Sequence, residues 1–159
     1  MLRNYMIKIL TLAIALASCA ALAIPAGAES KIALPEYSVT VTLSKKAAAK
    51  LNGSGETITI RAYYFGDPIN AKDQNESGDY SLNSEDKVIL GAGSATLGKI
   101  SINAKDLAKV KGHEASVSIN IFTSRKVFPD NLLDCEIFED KVAVALQKPI
   151  SLPCKLIGE

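Results

Sequence analysis

Few side chains in this chain suit nucleophilic or metal-assisted chemistry. His113 is the only histidine among the 159 residues, so a serine or cysteine nucleophile would need it as the general base. The adjacent Glu114 would then have to orient the imidazole, although adjacent residues of a strand point to opposite faces. A hydrolase that uses His113 and the carboxylates of the acidic segment described next is therefore an alternative that the spacing does not favour.

An acidic segment runs from Gly66 to Asp86 and holds six carboxylates against one lysine. Part of it has the spacing that opens a calcium loop, with a glycine at the sixth position and oxygen-bearing side chains at alternate positions, namely Asp73, Asn75, Ser77 and Asp79. The twelfth position is Ser84 instead of a bidentate glutamate. Ca²⁺ binding and a solvated loop both fit this pattern, and the sequence indicates no other cofactor.

Cys135 and Cys154 are predicted to form a disulfide. By period-two alternation Cys135 shares the apolar side of a strand with Leu133 and Ile137, and Cys154 shares one with Leu152. An even number of cysteines in an exported chain is typical of disulfide pairing. A metal site on these thiols would lack ligands, because the chain has one histidine and no Cys-x-x-Cys pair.

Residues 1–28 have the pattern of an export signal. Arg3 and Lys8 precede an apolar run over residues 9–24, and an Ala-Gly-Ala cleavage site ends the segment. The apolar run is short for a membrane-spanning helix, which needs about 20 residues. We therefore expect cleavage after residue 28.

The same segment also fits a lipoprotein signal over residues 1–18, because Leu-Ala-Ser precedes Cys19. Acylation of Cys19 would tether the protein to a membrane. Both alternatives predict a single domain over residues 29–159 that is exported to the periplasm, secreted, or lipid-anchored in the envelope.

The charge of the expected mature chain argues against a nucleic-acid partner. Residues 1–28 hold two cations and no acid, so their removal changes the formal net charge from +1 to −1. The remainder has no basic cluster of the kind that binds phosphates. It also has no apolar run long enough for a transmembrane span.

Alternation of apolar and polar residues over 37–43, 58–61 and 116–121 is typical of half-buried strands. Further strands are expected over residues 87–90, 95–102, 142–146 and 150–157, the second of them with a bulge at Gly98-Lys99. Two short helices are expected at 45–51 and 104–111, each between a polar N-cap and a glycine. This pattern predicts a mainly β protein, an antiparallel β-sandwich of immunoglobulin-like or transthyretin-like type with about seven strands and two crossover helices. Strand–helix–strand units recur at an offset of 59 residues, and internal duplication stays open.

Two groups of residues are candidates for a partner-binding surface. A strand that buries its other side must turn Arg61, Tyr63 and Phe65 outward, and these residue types are common in interfaces. Arg125 and Phe128 belong to a loop that a nearby disulfide would constrain. The alternatives are that the protein itself covers this strand face, that the buried and outward sides of the strand are reversed, and that Phe128 plugs the end of the sandwich.

Together these features favour binding over catalysis. The sequence predicts a non-catalytic, exported domain that binds a protein partner, either as an inhibitor or immunity-type protein or as an accessory subunit of an envelope assembly. A small-ligand or Ca²⁺-binding protein and a hydrolase are the alternatives.

Overall fold

The computed structural model describes residues 29–159, which are mainly β. Ten strands form the domain: β1 (Lys31–Ala33), β2 (Tyr37–Leu43), β3 (Ile58–Gly66), β4 (Tyr80–Ile89), β5 (Gly93–Leu97), β6 (Ser101–Asn103), β7 (Ser116–Thr123), β8 (Leu133–Cys135), β9 (Phe138–Lys141) and β10 (Ile150–Leu156). The helices are α1 (Lys45–Ser54), α2 (Ala104–Leu107) and α3 (Val142–Ala145). The predicted signal, with Cys19, lies outside the described residues. No helix within residues 29–159 has the length and apolar content needed to cross a membrane.

Two four-stranded sheets form the layers of a sandwich. The first has the order β5-β2-β10-β8, and its central pair, β2 and β10, is parallel while the flanking pairs are antiparallel. The second has the order β4-β3-β7-β9 and is antiparallel throughout. Strands β1 and β6 form a separate ribbon. The predicted mainly β sandwich is confirmed, with ten strands in place of about seven and with one parallel pair, β2 and β10, that was not predicted.

Both sheets contribute their inward faces to one core. Strand β3 buries Ile58, Ile60 and Tyr64 and exposes Arg61, as the alternation predicts. The other strands add mostly aliphatic side chains, including Val39, Val41, Leu97, Val117, Ile119, Ile121 and Leu152. Because the apolar residues turn inward, the outward face of the second sheet keeps the polar and aromatic side chains that the same strands carry.

The expected strand at residues 142–146 is wrong, because this segment contains α3. Its buried residues, Val142 and Ala145, are three positions apart, which is the spacing of a helix face rather than a strand face. A five-residue run of apolar side chains fits the spacing of a helix face as well as that of a strand face, so alternation alone predicted the wrong element.

The expected strand over residues 95–102 is divided at Gly98. Strand β5 belongs to the first sheet and β6 to the ribbon. Gly98 has a φ of 103°, and a Cβ atom there would lie 2.2 Å from the carbonyl oxygen of Pro35. Gly98 therefore forms a tight turn between the first sheet and the ribbon, where only glycine fits.

The two predicted helices are present, with different ends. Ser44 and Asn103 accept hydrogen bonds from backbone N–H groups of α1 and α2, as N-caps do. Helix α1 continues to Ser54 and ends at Gly55, whereas α2 ends at Leu107. The two units at the 59-residue offset differ in position, because β2 lies in the first sheet and β6 in the ribbon.

A buried chain of hydroxyls connects the two sheets. The hydroxyls of Tyr37 and Tyr64 are 2.8 Å apart, and Tyr64 donates to Glu85 Oε1 at 2.7 Å. Gly98 N–H donates to the same carboxylate oxygen. Burial raises the pKa of Tyr37 to about 12 and raises that of Tyr64 as well, so both stay neutral and act as hydrogen-bond donors.

Removal of the Tyr64 hydroxyl is expected to lower the free energy of unfolding more than removal of the Tyr37 hydroxyl. Tyr64→Phe leaves the Tyr37 hydroxyl without a partner and also removes one of the hydrogen bonds to Glu85 Oε1, a cost of about 2 kcal/mol, whereas Tyr37→Phe costs about 1 kcal/mol. Urea denaturation of the two variants at pH 7 measures the difference. Equal losses would show that Tyr64 does not connect the other two groups.

Candidate functional site

The outward face of the second sheet, here called the outer face, presents residues of three strands in register. Arg61 lies between Asp86 on β4 and Asn120 on β7. In the next row Tyr63 lies between Ser84 and Ser118. Phe65 and Phe122 extend the face at its two ends, with Ser81, Val88 and Ser116 beside them. Arg61 is exposed on this face, whereas Tyr63 and Phe65 are half-buried.

Arg61 is fixed in place on the outer face. Its Nε and Nη2 atoms donate to the two oxygens of Asp86 at 2.8 and 2.7 Å, the bidentate arrangement that guanidinium and carboxylate favour. This hydrogen-bonded guanidinium lowers the pKa of Asp86. The guanidinium carbon also lies 5.5 Å from the ring centre of Phe122, within the range of a cation–π contact. The Arg61 side chain is therefore held in one position on the outer face, and Asp86 neutralises its charge.

Tyr63 and Phe65 form a second rigid unit. Their ring centres are 5.6 Å apart and the ring planes differ by 9°. Asn75 donates through Nδ2 to the Tyr63 hydroxyl at 2.8 Å, so the acidic segment contacts this end of the outer face. Rings that stack on each other lose little side-chain entropy when a partner binds.

The loop of residues 124–131 rises beside the outer face, and Glu56 holds it. Glu56 precedes β3 and is only 3% exposed. Its Oε1 accepts N–H groups of Thr57 and Lys126 at 2.9 and 3.1 Å. Its Oε2 accepts those of Val127 and Phe128 at 2.7 and 3.1 Å. Burial alone would raise the pKa of this carboxyl, but the four backbone donors lower it to about 2.

Arg125 occupies a left-handed backbone conformation in this loop, with a φ of 58°. Its side chain is exposed and lines a cleft of about 420 Å³ together with Arg61, Asn120, Phe122 and Asn131. The structure therefore joins Arg61 and Arg125, which the sequence offered as separate candidates, in one surface.

The left-handed conformation gives a testable result for Arg125. A side chain other than glycine pays about 1 kcal/mol in this conformation, so Arg125→Gly is expected to raise the free energy of unfolding by up to about that amount. Arg125→Ala keeps the strain and is expected to leave stability unchanged. Chemical denaturation of the pair measures the difference, and a loss of stability in Arg125→Ala would show that the arginine side chain itself supports the fold.

Phe128 does not belong to this surface. Its ring is half-buried and lies under the ammonium of Lys50 on α1, 4.6 Å from Nζ to the ring centre. The ring therefore lies against α1, and Phe128 is not among the half-buried residues that pack on the core. Its backbone N–H still helps Glu56 to hold the loop.

The residues predicted to do chemistry lie apart. His113 is exposed in a 3₁₀ turn with a φ of 53°, and its imidazole makes no hydrogen bond or ion pair with any residue of 29–159. Glu114 instead pairs with Lys141. The acidic segment ends in β4, where Glu85 accepts a hydrogen bond from Tyr64 and Asp86 accepts two from Arg61.

The predicted calcium ligands belong to a loop that closes on itself. Asn75 Oδ1 accepts the N–H groups of Ser77 and Asp79 at 2.9 and 3.0 Å, and Asp73 ends a 3₁₀ turn. Burial and the nearby charges of Glu139 and Asp67 raise the pKa of Asp79. Within residues 29–159 no group of three or more histidine, cysteine or carboxylate side chains could hold a metal ion. Ca²⁺ binding stays a prediction that a chelator-dependent melting temperature would test.

The predicted disulfide is present. Cys135 and Cys154 are directly opposed on β8 and β10, with their Cα atoms 4.1 Å apart. Cys154 is buried and Cys135 half-buried, while Ile137, expected on the same face, lies beyond β8 and is 61% exposed. The bond borders a cleft of about 640 Å³ with Leu43, Pro153 and Lys155.

Sequence reasoning missed two residues of the candidate site. Phe122 continues the outward parity of Ser118 and Asn120, so the alternation held a signal for it. Glu56 had no such signal, because its partners lie about seventy positions away and are backbone N–H groups of any residue type. No protein-family model and no curated protein matches this chain.

Proposed function

We propose that the protein is a non-catalytic, exported protein-binding domain whose outer face contacts the partner. The observation that carries this proposal is one surface formed by Arg61, Tyr63, Phe65, Phe122 and Arg125. The first four side chains are held by contacts with Asp86 or with one another, and Glu56 holds the loop backbone that follows Arg125. Pre-ordered aromatic and arginine side chains are the residues that dominate binding energy in protein interfaces. An envelope enzyme or toxin blocked by the domain, or an assembly that it joins, is the expected partner.

The pattern of residues 1–28 supports export, and the disulfide agrees with an oxidising compartment. Cleavage after residue 28 and acylation at Cys19 make different predictions for the mature protein. The intact mass of purified material distinguishes them, since acylation adds lipid to a chain that begins at Cys19.

Site-specific photo-crosslinking in the producing cell tests the binding face. A crosslinking amino acid at Ser84 lies in the same row as Tyr63, whereas one at Ser151 projects from the opposite sheet and serves as the control. We expect a covalent adduct from position 84 alone, and loss of that adduct when Tyr63 and Phe65 are both replaced by alanine. Adducts of equal yield at both positions, or none at either, would contradict the proposal.

A small-ligand carrier is a second candidate, because the 640 Å³ cleft beside the disulfide is bordered by apolar Leu43 and Pro153. A thermal-shift panel of metabolites and metals tests it. A ligand of this cleft should protect the neighbouring disulfide from reduction, whereas a partner on the outer face should not.

A further inference from the structure

The cleft beside Arg125 differs in charge from the remainder of the outer face. Two guanidinium groups, two side-chain amides and one phenyl ring line it, and no carboxylate does. A cleft of this composition is complementary to an anionic group that is flanked by apolar surface.

Two of the lining groups are already engaged. The guanidinium of Arg61 is occupied by both oxygens of Asp86. Asn131 accepts the N–H groups of Thr123 and Leu133 and donates to the carbonyl of Leu133. These two side chains therefore form fixed walls.

The other two polar groups are available. Among residues 29–159, the guanidinium of Arg125 and the amide of Asn120 make no hydrogen bond or ion pair, and both side chains are exposed. One unpaired guanidinium matches the single negative charge of a carboxylate. Glu56 presets the position of Arg125, because the three N–H groups that follow Arg125 bind its carboxylate.

We infer that this cleft binds the side-chain carboxylate of an aspartate or glutamate in the protein partner, with Arg125 as the residue that pairs with it. The inference rests on the proposed function and names the partner's chemistry at one position. Asn120 donates to the same carboxylate, and an apolar residue beside the acid lies on Phe122 and Val88, which share the adjacent row. Arg125 acts here as a specificity-determining residue.

Selection from a random peptide library tests this chemistry. The library is displayed on phage through the peptide C-terminus, so that side chains are the only source of a carboxylate. The purified protein is the bait, and Arg125→Gly is the counter-selection bait. We expect the enriched peptides to share an aspartate or glutamate next to an apolar or aromatic residue.

Fluorescence anisotropy then measures the dissociation constants of the best synthetic peptide. Arg125→Ala and Arg125→Gly should each weaken binding at least about tenfold, as should replacement of the peptide's acid by its amide. Lys126→Ala, in the same loop but outside the cleft lining, should leave the constant within about twofold.

Three results would overturn the inference. They are a selection that yields no Arg125-dependent peptide, a consensus without an acidic side chain, and equal binding to wild type and both Arg125 variants. Crosslinking at Ser84 does not depend on this carboxylate contact. An intact adduct together with any of these results would therefore reject the carboxylate subsite while the binding face is still supported.

Discussion

Glutamine at position 56 is expected to lower the free energy of unfolding by about 3 kcal/mol at pH 7. In the wild type, each carboxylate oxygen of Glu56 accepts two backbone N–H groups. Glutamine keeps one acceptor oxygen and places an NH₂ donor against the other pair, so that two buried N–H groups lose their partner. Released N–H groups at Lys126, Val127 and Phe128 would free the loop that presents Arg125.

The pKa of Glu56 gives this prediction a pH dependence. Its ordinary value is 4.5 and the fold lowers it to about 2. The unfolded chain therefore binds the proton more readily between these values, so the stabilisation is complete above about pH 5 and is lost as the pH falls toward 2. A difference of this size corresponds to about 3 kcal/mol.

Urea denaturation of wild type and Glu56→Gln at several pH values between 7 and 3 measures both effects. We expect the gap between the two proteins to be largest near pH 7 and to narrow below pH 5. Other acids with lowered pKa values, such as Asp86 and Glu114, occur in both proteins and cancel in the difference. A gap that stays constant down to pH 3 would show that the charge of Glu56 does not stabilise the fold.

Glu76→Gln is the matched control, because Glu76 is exposed and makes no side-chain hydrogen bond within residues 29–159. It should change stability by less than about 0.5 kcal/mol. Hydrogen exchange adds a local measurement, since the amides of Lys126, Val127 and Phe128 should exchange faster only in Glu56→Gln.

Period-two alternation predicted the faces of β2, β3 and β7 because each of these strands has one side in the core. Ile58 and Ile60 had to point inward once the strand was half-buried, and Arg61 followed outward. Alternation failed at 142–146, where α3 buries two residues of an all-apolar run. Local periodicity therefore predicts a face only where the residues on the two sides differ in polarity.

The strand residues of the candidate site could be predicted from the sequence, whereas the position of its loop could not. Tyr63 and Phe65 follow from parity on a single strand. Arg125 joins Arg61 only because the second sheet places the end of β7 beside the start of β3, and pairing between distant strands has no signal in one sequence. The position of Glu85 could not be predicted either. Its side of the strand could be assigned only once the structure showed that the polar segment around it belongs to β4.

Replacement of both Cys135 and Cys154 by alanine is expected to destabilise the fold by about 3 kcal/mol and to lower its melting temperature by about 10 °C. The two residues are 19 positions apart and are opposed on neighbouring strands. Strand β8 is paired with β10 over only three residue pairs. The crosslink therefore holds a short edge strand to the sheet and limits the conformations of the unfolded chain.

Differential scanning calorimetry with and without reductant checks the disulfide prediction. The wild type should lose stability in reductant and approach the double variant, whereas the double variant should not respond. Alkylation of both thiols in nonreducing buffer would contradict the crosslink directly. Since β8 follows the 124–131 loop in the chain, peptide affinity at Arg125 should also fall in the reduced wild type, while Lys126→Ala with its disulfide intact keeps its affinity. This result would connect the crosslink to the presentation of the binding face.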